Sequence, residues 1–161
     1  MLKKFGTVIS SEFDAETCTF LRQVLKMEVI EASVTELPFP DNEFDLVCAF
    51  DVIEHVENDE QAMEEMKRVC KKGGYVAITV PADKNLWSPH DVINHHFRRY
   101  SLSEMENLVS ARKLQIMYIS CFNSILYWPI RFVRFFKNLI QKKDAPTSDF
   151  DTALPLSLIH I

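Results

Sequence analysis

Glycine is scarce in this 161-residue chain, which contains only Gly6, Gly73 and Gly74. No Gly-x-Gly pair can be drawn from these three residues. The phosphate-binding loops of nucleotide-binding proteins need glycines at fixed offsets, because the backbone must approach the ligand closely. The chain therefore contains neither a P-loop nor a glycine-rich dinucleotide-binding loop.

An excess of positive charge and paired cysteines are also lacking. The chain has 18 Lys and Arg against 23 Asp and Glu, and this net charge of -5 argues against general nucleic-acid binding. The cysteines form no C-x-x-C pair and lie in apolar sequence, at Cys18, Cys48, Cys70 and Cys121. We expect buried, reduced thiols in a cytoplasmic protein, without a disulfide framework or a structural zinc.

Long apolar runs are missing as well. No stretch of 18 uncharged apolar residues occurs, and no apolar segment of useful length follows Lys3 and Lys4, so neither a membrane span nor a secretory signal is predicted. With 47% hydrophobic and 25% charged residues, the composition is typical of one globular domain.

Strand and helix patterns alternate over the first 122 residues, which indicates parallel βαβ units. Short β-type runs predict strands at 5–11, 28–32, 44–50, 75–80 and 114–122. The run at 44–50 is almost continuously apolar, as in strands covered on both faces. Helices are predicted after Asp14, after Asn58 and from Ser101 to about Ala111, and Gly73 and Gly74 are expected to end the second one.

Three sequence blocks carry a resemblance to a known family: LPFPDNEFDLVCAFDVIEHV (37–56), RVCKKGGYVAITVPA (68–82) and NHHFRRYS (94–101). In this order and spacing they resemble class I S-adenosylmethionine-dependent methyltransferases, in particular the group that includes ubiquinone- and menaquinone-type enzymes. The resemblance covers about residues 5–122. It implies an α/β, Rossmann-like fold and S-adenosyl-L-methionine as the cofactor.

The resemblance also implies that the fold is incomplete. The first strand of this chain resembles the family's second strand, so the family's first strand and its glycine-rich loop are missing. In the family that strand lies in the middle of the sheet. We therefore expect a chain truncated at the front, and also behind, that binds S-adenosylmethionine weakly on its own.

The resemblance assigns the adenosine half of the cofactor to three places. Glu12 corresponds to the acidic residue that binds both ribose hydroxyls; Asp14 competes for this role but fits a helix cap better. Ser33 stands where the family usually has an acidic residue for the adenine amino group, and it could instead be a turn residue. The backbone N–H of Val34 would meet an adenine ring nitrogen. We expect Phe50, Asp51 and Val52, at a strand end, to line the cofactor as well.

Glu54 and His55 follow directly and are expected to lie closer to the methyl acceptor. A histidine with its ordinary pKa of about 6.5 can take a proton from a hydroxyl acceptor at neutral pH. His55 could equally be a structural residue at a helix start. Both interpretations stay open.

The histidine- and arginine-rich segment 87–101 has two competing interpretations. It could be a substrate lid in which the arginines hold an anionic acceptor, with candidate residues His90, His95, Arg98, Arg99 and Tyr100. It could instead be a metal site made of His90, Asp91, His95 and His96. We favour the lid, because the family has a similar H-x-R-R-Y-S run, and we predict no metal. Arg98 and Arg99 could also simply pair with Glu104 or Glu106.

Beyond the partial methyltransferase domain at 1–122, we expect an amphipathic basic helix or lid at 123–143 and a disordered tail at 144–161. The segment RFVRFFKNLIQKK (131–143) has five basic and no acidic residues, so it could lie on an anionic membrane or cover its own domain. The last six residues resemble read-through of adaptor DNA; the alternative is a short apolar strand.

The sequence as a whole predicts methyl transfer from S-adenosylmethionine to a small or lipid-like acceptor. The alternative is a non-catalytic methyltransferase-like module that binds a partner or a membrane surface. We expect a cytoplasmic protein with optional peripheral membrane contact through Arg131 to Lys143, and no nucleic-acid partner.

Overall fold

A computed structural model describes residues 2–122, 128–129 and 131–133 of the chain. Its centre is made of two pairs of parallel strands, with helices packed beside them. The predicted α/β class with parallel strands is confirmed. The predicted helix beyond residue 133 and the tail at 144–161 lie outside the described residues.

The first pair consists of β1 (Ser11–Glu12) and β2 (Ile30–Glu31), joined by helix α1 (Ala15–Gln23). Asp14 caps α1, because its side chain accepts a hydrogen bond from Thr17 N at 2.6 Å, so the cap assignment is confirmed. The predicted strand at 5–11 is mostly wrong, since only its last residue is in β1. Residues 5–9 have no strand partner in the described structure, and an extended segment without one is not a strand.

The second pair consists of β3 (Phe44–Phe50) and β4 (Cys70–Thr79), in parallel register from Leu46 opposite Tyr75 to Phe50 opposite Thr79. β3 has its predicted bounds, whereas β4 begins earlier than expected. Residues 71–74 stand opposite Asp45 alone and form a bulge. Gly73 has φ +82°, and a Cβ on Gly74 would lie 2.8 Å from Asp45 O, so the two glycines build this bulge inside β4 and do not precede it.

Helix α2 (Asp59–Val69) covers one face of β3 and β4. Its predicted cap is confirmed, since Asn58 Oδ1 accepts from Gln61 N at 3.1 Å. The core between them is formed by buried side chains from several elements, namely Ala49, Ile53, Ala62, Met63, Met66, Tyr100 and Leu108. The opposite face exposes Leu46, Phe50 and Tyr75, so the expectation of a strand covered on both faces is wrong for the described residues.

The two strand pairs are not hydrogen-bonded to each other anywhere in the described ranges. β1 and β2 form one sheet and β3 and β4 another, which matches the expectation of a partial Rossmann-like fold. The loop after β2 nevertheless packs on the second unit: Val34 contacts the core cluster, and Gln61 Nε2 on α2 donates to Thr35 O at 3.0 Å.

After β4 the chain forms the 3-10 helix Lys84–Leu86 and the short helix α3 (Pro89–Ile93), and then helix α4 (Leu102–Ala111). Ser101 and Glu104 form the predicted capping box of α4. The predicted strand at 114–122 is wrong. Leu114 packs against the core, but the segment hydrogen-bonds to no strand in the described structure, and apolar alternation alone cannot supply that partner.

The cysteines differ in part from the expectation of buried thiols. Cys18 and Cys70 are buried and Cys48 and Cys121 are exposed, and all four are free thiols. Burial raises the pKa of the Cys18 thiol, which keeps it protonated. No helix in the described part of the chain is long and apolar enough to cross a bilayer.

Candidate functional site

Glu12 ends β1 with a side chain fixed by the backbone. Its Oε1 accepts hydrogen bonds from Phe13 N at 2.8 Å and Asp14 N at 3.0 Å, and the residue is half-buried. Both bonds use one oxygen, so Oε2 is available to a ligand. Glu12 therefore has the oriented carboxylate that the predicted ribose contact requires.

Ser33 and Val34 lie just beyond β2, the strand that pairs in parallel with β1. Ser33 Oγ lies 2.7 Å from Thr35 Oγ1 and accepts from Thr35 N at 3.2 Å, while its carbonyl accepts from Glu36 N. These are the bonds of a tight turn, which fits the turn interpretation of Ser33. Val34 packs its side chain on the core cluster and thereby anchors the turn.

The carboxyl end of β3 has an unusual backbone. Asp51 has φ +52°, a left-handed conformation that is uncommon for a residue other than glycine. Thr79 on β4 holds it there: Asp51 N donates to Thr79 O at 3.0 Å, and Thr79 Oγ1 donates to Asp51 Oδ1 at 3.1 Å. Strained residues of this kind cluster at functional sites. Phe50 beside it is 52% exposed, and Val52 packs on the core.

Glu54 lies in the 3-10 helix Ile53–His55 and is only 1% exposed. Its Oε2 has no hydrogen-bond partner among the described residues, whereas Oε1 lies 4.0 Å from His55 Nε2. Burial raises the pKa of Glu54 to about 7, and the charge of Asp51 adds to this, while its own backbone N–H and Arg99 act in the opposite direction. A buried carboxyl of this kind is typical of functional sites.

His55 lies against His96 from the later segment, with ring centroids 4.6 Å apart at 82°. His96 Nδ1 in turn lies 2.9 Å from Asp91 Oδ1. Asp91 is fully buried and also accepts from Arg99 Nε at 2.7 Å and from Ser88 N at 2.8 Å. Burial alone would raise the pKa of Asp91, but the hydrogen bonds from Arg99 and His96 hold it below its ordinary value.

The predicted lid residues make contacts within the fold. Arg98 Nη1 lies 3.0 Å from Asp59 Oδ2, and Arg99 bonds Asp91 and Ala82 O. The suggestion that either arginine pairs with Glu104 or Glu106 is therefore wrong, because Glu104 instead bonds Lys84 and Ser101.

The remaining lid candidates differ in their surroundings. His90 Nε2 lies 2.9 Å from Asn94 Nδ2, and His95 is exposed with φ +56°. Tyr100 is buried and donates to Asp59 Oδ2 at 2.8 Å. Of the proposed metal set His90, Asp91, His95 and His96, Asp91 and His96 are joined by a hydrogen bond.

A cleft of about 430 Å³ lies beside this segment. Its charged lining combines three cations with three carboxylates, which are Lys84, Arg98 and Arg99 with Asp59, Glu60 and Glu104. Because these charges balance, the cleft has no excess positive charge of the kind that attracts an anionic acceptor.

Sequence reasoning missed the central roles of Asp59 and Asp91. Asp91 was considered only as a metal ligand, although it lies in α3 and accepts hydrogen bonds that connect α3 to His96 and Arg99. The sequence does contain a signal for a structural role of Asp91: Ser88 and Asp91 are spaced as a capping box, with Pro89 at the first helical position. Asp59 follows the cap residue Asn58, and nothing in the sequence pairs it with Tyr100.

Comparisons with known proteins agree with this fold. Residues 1–78 match the family profile described as methyltransferase domain. A demethylmenaquinone methyltransferase of Listeria welshimeri is 38% identical over 72 residues, covering 45% of this chain and 30% of that protein. A Mycobacterium tuberculosis protein named as a probable S-adenosylmethionine-dependent methyltransferase is 30% identical over 106 residues. This match covers 63% of this chain and 38% of that protein.

Solved structures show the same fold. A Bacillus halodurans protein superposes with a TM-score of 0.66 at 19% identity, covering 75% of this chain and 59% of that one. A SAM-dependent methyltransferase of Aquifex aeolicus gives a TM-score of 0.56 at 18% identity, covering 73% of this chain and 64% of that one.

Together these findings confirm the resemblance to class I S-adenosylmethionine-dependent methyltransferases. The chain has part of their Rossmann-like fold. It spans 30% and 38% of the lengths of the two curated relatives named above.

Proposed function

We propose that this chain forms the adenosine-binding and acceptor-facing part of an S-adenosylmethionine-dependent methyltransferase with a small or lipid-like acceptor. In such a reaction the bond from the sulfonium sulfur to the methyl carbon breaks and its electron pair stays on sulfur. The acceptor atom forms the new bond to carbon and releases a proton. Positioning the two reactants supplies most of the help for this displacement.

The observation that carries the proposal is the oriented carboxylate of Glu12. Its Oε1 is held by two backbone N–H groups, and its Oε2 can accept from a ribose diol. The turn at Ser33 and Val34 lies beyond the neighbouring parallel strand, where we assign the adenine. Phe50, Asp51 and Val52 end β3, where open α/β sheets bind ligands.

We assign the acceptor side to Glu54 and His55, and further to His90, His95, Arg98, Arg99 and Tyr100. The name of the Listeria relatives, demethylmenaquinone methyltransferase, supports a lipid-like acceptor. Arg98, Arg99 and Tyr100 would contribute mainly by shaping the acceptor side, because their polar groups already bond Asp59, Glu57, Asp91 and Ala82.

The alternative function, a non-catalytic module for a partner or a membrane surface, rests on the basic segment 131–143. Within that segment the structure describes residues 131–133, where Arg131 Nη1 lies 4.0 Å from Asp83 Oδ2. This contact favours packing on its own domain. Membrane contact through Arg131 to Lys143 stays a prediction.

A comparison of adenosine with 2′-deoxyadenosine tests the proposal. We expect the chain to bind adenosine more tightly, because a hydroxyl bonded to a charged group contributes about 1.5–3 kcal/mol, or roughly tenfold or more in Kd. Glu12→Gln should remove the difference, while Glu16→Gln on the exposed surface of α1 should preserve it. Equal binding of both nucleosides by the unaltered chain would refute the role of Glu12.

A further inference from the structure

Glu54, His55 and His96 converge at the carboxyl end of β3, although His96 is 41 residues from His55 along the chain. One ligand atom from each, a carboxylate oxygen and two imidazole nitrogens, lies within 4.8 Å of the other two. Glu54 Oε1 and His55 Nε2 are 4.0 Å apart. Such a set of two nitrogens and one oxygen is chemically suited to a divalent transition metal.

The buried oxygen of Glu54 is a second, independent observation. Glu54 is 1% exposed, and its Oε2 is shielded from water without a hydrogen-bond partner in the described part of the chain. An unsatisfied buried polar atom costs about 1–3 kcal/mol, and more when it is charged. Glu54 Oε1 is the oxygen nearer to His55 Nε2, so a cation bound by both oxygens of the carboxylate would also satisfy Oε2.

Asp91 contacts one of the three residues, His96, and fixes the orientation of its ring. Its Oδ1 lies 2.9 Å from His96 Nδ1, so His96 is held by one nitrogen and its Nε2 is left for a metal. Histidines that bind metals usually donate their other ring N–H to a carboxylate in this way. Asp91 is itself fixed by Ser88 N and Ser88 Oγ, at 2.8 and 3.1 Å.

From this geometry we propose that Glu54, His55 and His96 bind a divalent transition-metal ion of the Zn²⁺ type, with Asp91 orienting His96. This site differs from the set His90, Asp91, His95 and His96 considered from the sequence, and it replaces the expectation of no metal. In a tetrahedral zinc site, ligand atoms lie about 3.3 Å apart. We therefore expect the three side chains, whose ligand atoms lie within 4.8 Å of one another, to move closer together when the ion binds.

Three protein ligands leave a fourth position for an oxygen. Water or an acceptor hydroxyl bound there would have a lowered pKa. The role toward an acceptor rests on the proposed function, whereas metal binding itself does not. Arg99 is a neighbouring cation. Its Nε lies 2.7 Å from Asp91 Oδ1, so the carboxylate of Asp91 balances the positive charge of Arg99.

The test is a titration of the full chain with Zn²⁺, in the absence of S-adenosylmethionine and acceptor. A Cys48→Ser, Cys121→Ser background removes the two exposed thiols as competing ligands. Calorimetry should show one ion per chain. In the same background, Co²⁺ should give the visible absorption bands of a four-coordinate site.

Single ligand changes locate the ion. Glu54→Gln, His55→Ala and His96→Ala should each weaken Zn²⁺ binding about tenfold or more, and Asp91→Asn about 10- to 100-fold. His95→Ala is the matched control, because it removes an exposed histidine beside His96, and it should leave binding unchanged.

Circular dichroism of each variant separates lost ligands from lost fold. The His55 side chain is 36% exposed, so its replacement is expected to preserve the fold. A folded chain that binds no Zn²⁺, or binding that survives in the folded His55→Ala variant, would overturn the proposal. Because neither nucleoside nor acceptor enters this experiment, the result is independent of the adenosine test of the proposed function.

Discussion

Tyr100 donates its hydroxyl hydrogen to Asp59 Oδ2 at 2.8 Å and so connects two segments 41 residues apart. Tyr100 ends the segment that follows α3, and Asp59 begins α2. Burial, and the hydrogen bond to Asp59, raise the pKa of Tyr100 well above its usual range, so the hydroxyl remains a donor. Arg98 Nη1 reaches the same oxygen of Asp59 at 3.0 Å. These contacts attach the segment that contains His96 to the core.

Tyr100→Phe should therefore destabilise the chain. The ring keeps its packing, but Asp59 loses a hydrogen bond to its carboxylate, and we expect a loss of about 1–3 kcal/mol in the free energy of unfolding. Urea denaturation measures this loss. Tyr118→Phe, at a tyrosine that is 86% exposed, is the matched control and should have no effect. Equal stability of the two variants would show that the Asp59 contact contributes nothing.

The two neighbouring arginines should respond differently to replacement by lysine. Arg99 is 11% exposed and binds the fully buried Asp91, whereas Arg98 is 32% exposed. Lysine cannot reproduce the several fixed donors of a guanidinium. We expect Arg99→Lys to lower the unfolding free energy by about 1.5–3 kcal/mol, and Arg98→Lys to lower it less. Thermal unfolding of both variants provides the comparison, and the reverse order would contradict the buried role of Arg99.

Glu65 makes the stability pH-dependent through its contacts with Arg68 and Leu37. Hydrogen bonds from Arg68, and from the backbone N–H of Leu37, lower the pKa of Glu65 below its ordinary value of 4.5. A carboxyl whose pKa is lowered by folding stabilises the protein above its unfolded pKa. This stabilisation is lost as the pH falls through the lowered pKa of the folded state.

The stability difference between wild type and Glu65→Gln should thus be full at neutral pH and shrink as the pH falls below 4.5. Urea denaturation across this range measures it. Glu36→Gln, at an exposed carboxylate, is the control and should give a small difference at every pH. A difference in unfolding free energy between wild type and Glu65→Gln that does not shrink as the pH falls below 4.5 would contradict the role of Glu65.

Gly74 should tolerate no side chain. An added Cβ would lie 2.8 Å from Asp45 O and 3.0 Å from both Cys70 Sγ and Lys71 O. Gly74→Ala should cost about 1–3 kcal/mol, because the bulge in β4 must shift. Gly6→Ala is the control, since nothing lies within 4 Å of its Cβ. Equal unfolding midpoints for the two variants would mean that the bulge is not closely packed.

Features that depend on neighbouring residues could be predicted from the sequence. The caps at Asp14, Asn58 and Ser101 with Glu104 involve partners three residues apart, so the local pattern determines them. The bounds of β3 were also correct, because its run is apolar except for Asp45 and ends before Asp51.

Features that depend on distant partners were not predictable. The segment 114–122 has strand-like composition, but no described strand pairs with it. Pairing with Glu104 or Glu106 was the alternative to the lid for Arg98 and Arg99, whereas their partners include Asp59, 39 residues before Arg98, and Asp91. The convergence of Glu54 and His55 with His96 likewise arises only when the segment after α3 folds back onto the end of β3.

The most direct test of the central claim, an adenosine site at the carboxyl ends of β1, β2 and β3, is amide chemical-shift mapping of the full chain by NMR. Titration with adenosine should shift the amides of Glu12, Val34, Asp51 and Val52, because these residues surround the proposed site. Methionine alone should leave them unchanged, since the chain has no glycine-rich loop for that half of the cofactor. Saturating adenosine that shifts none of these amides, or shifts only residues outside these strand ends, would contradict the account.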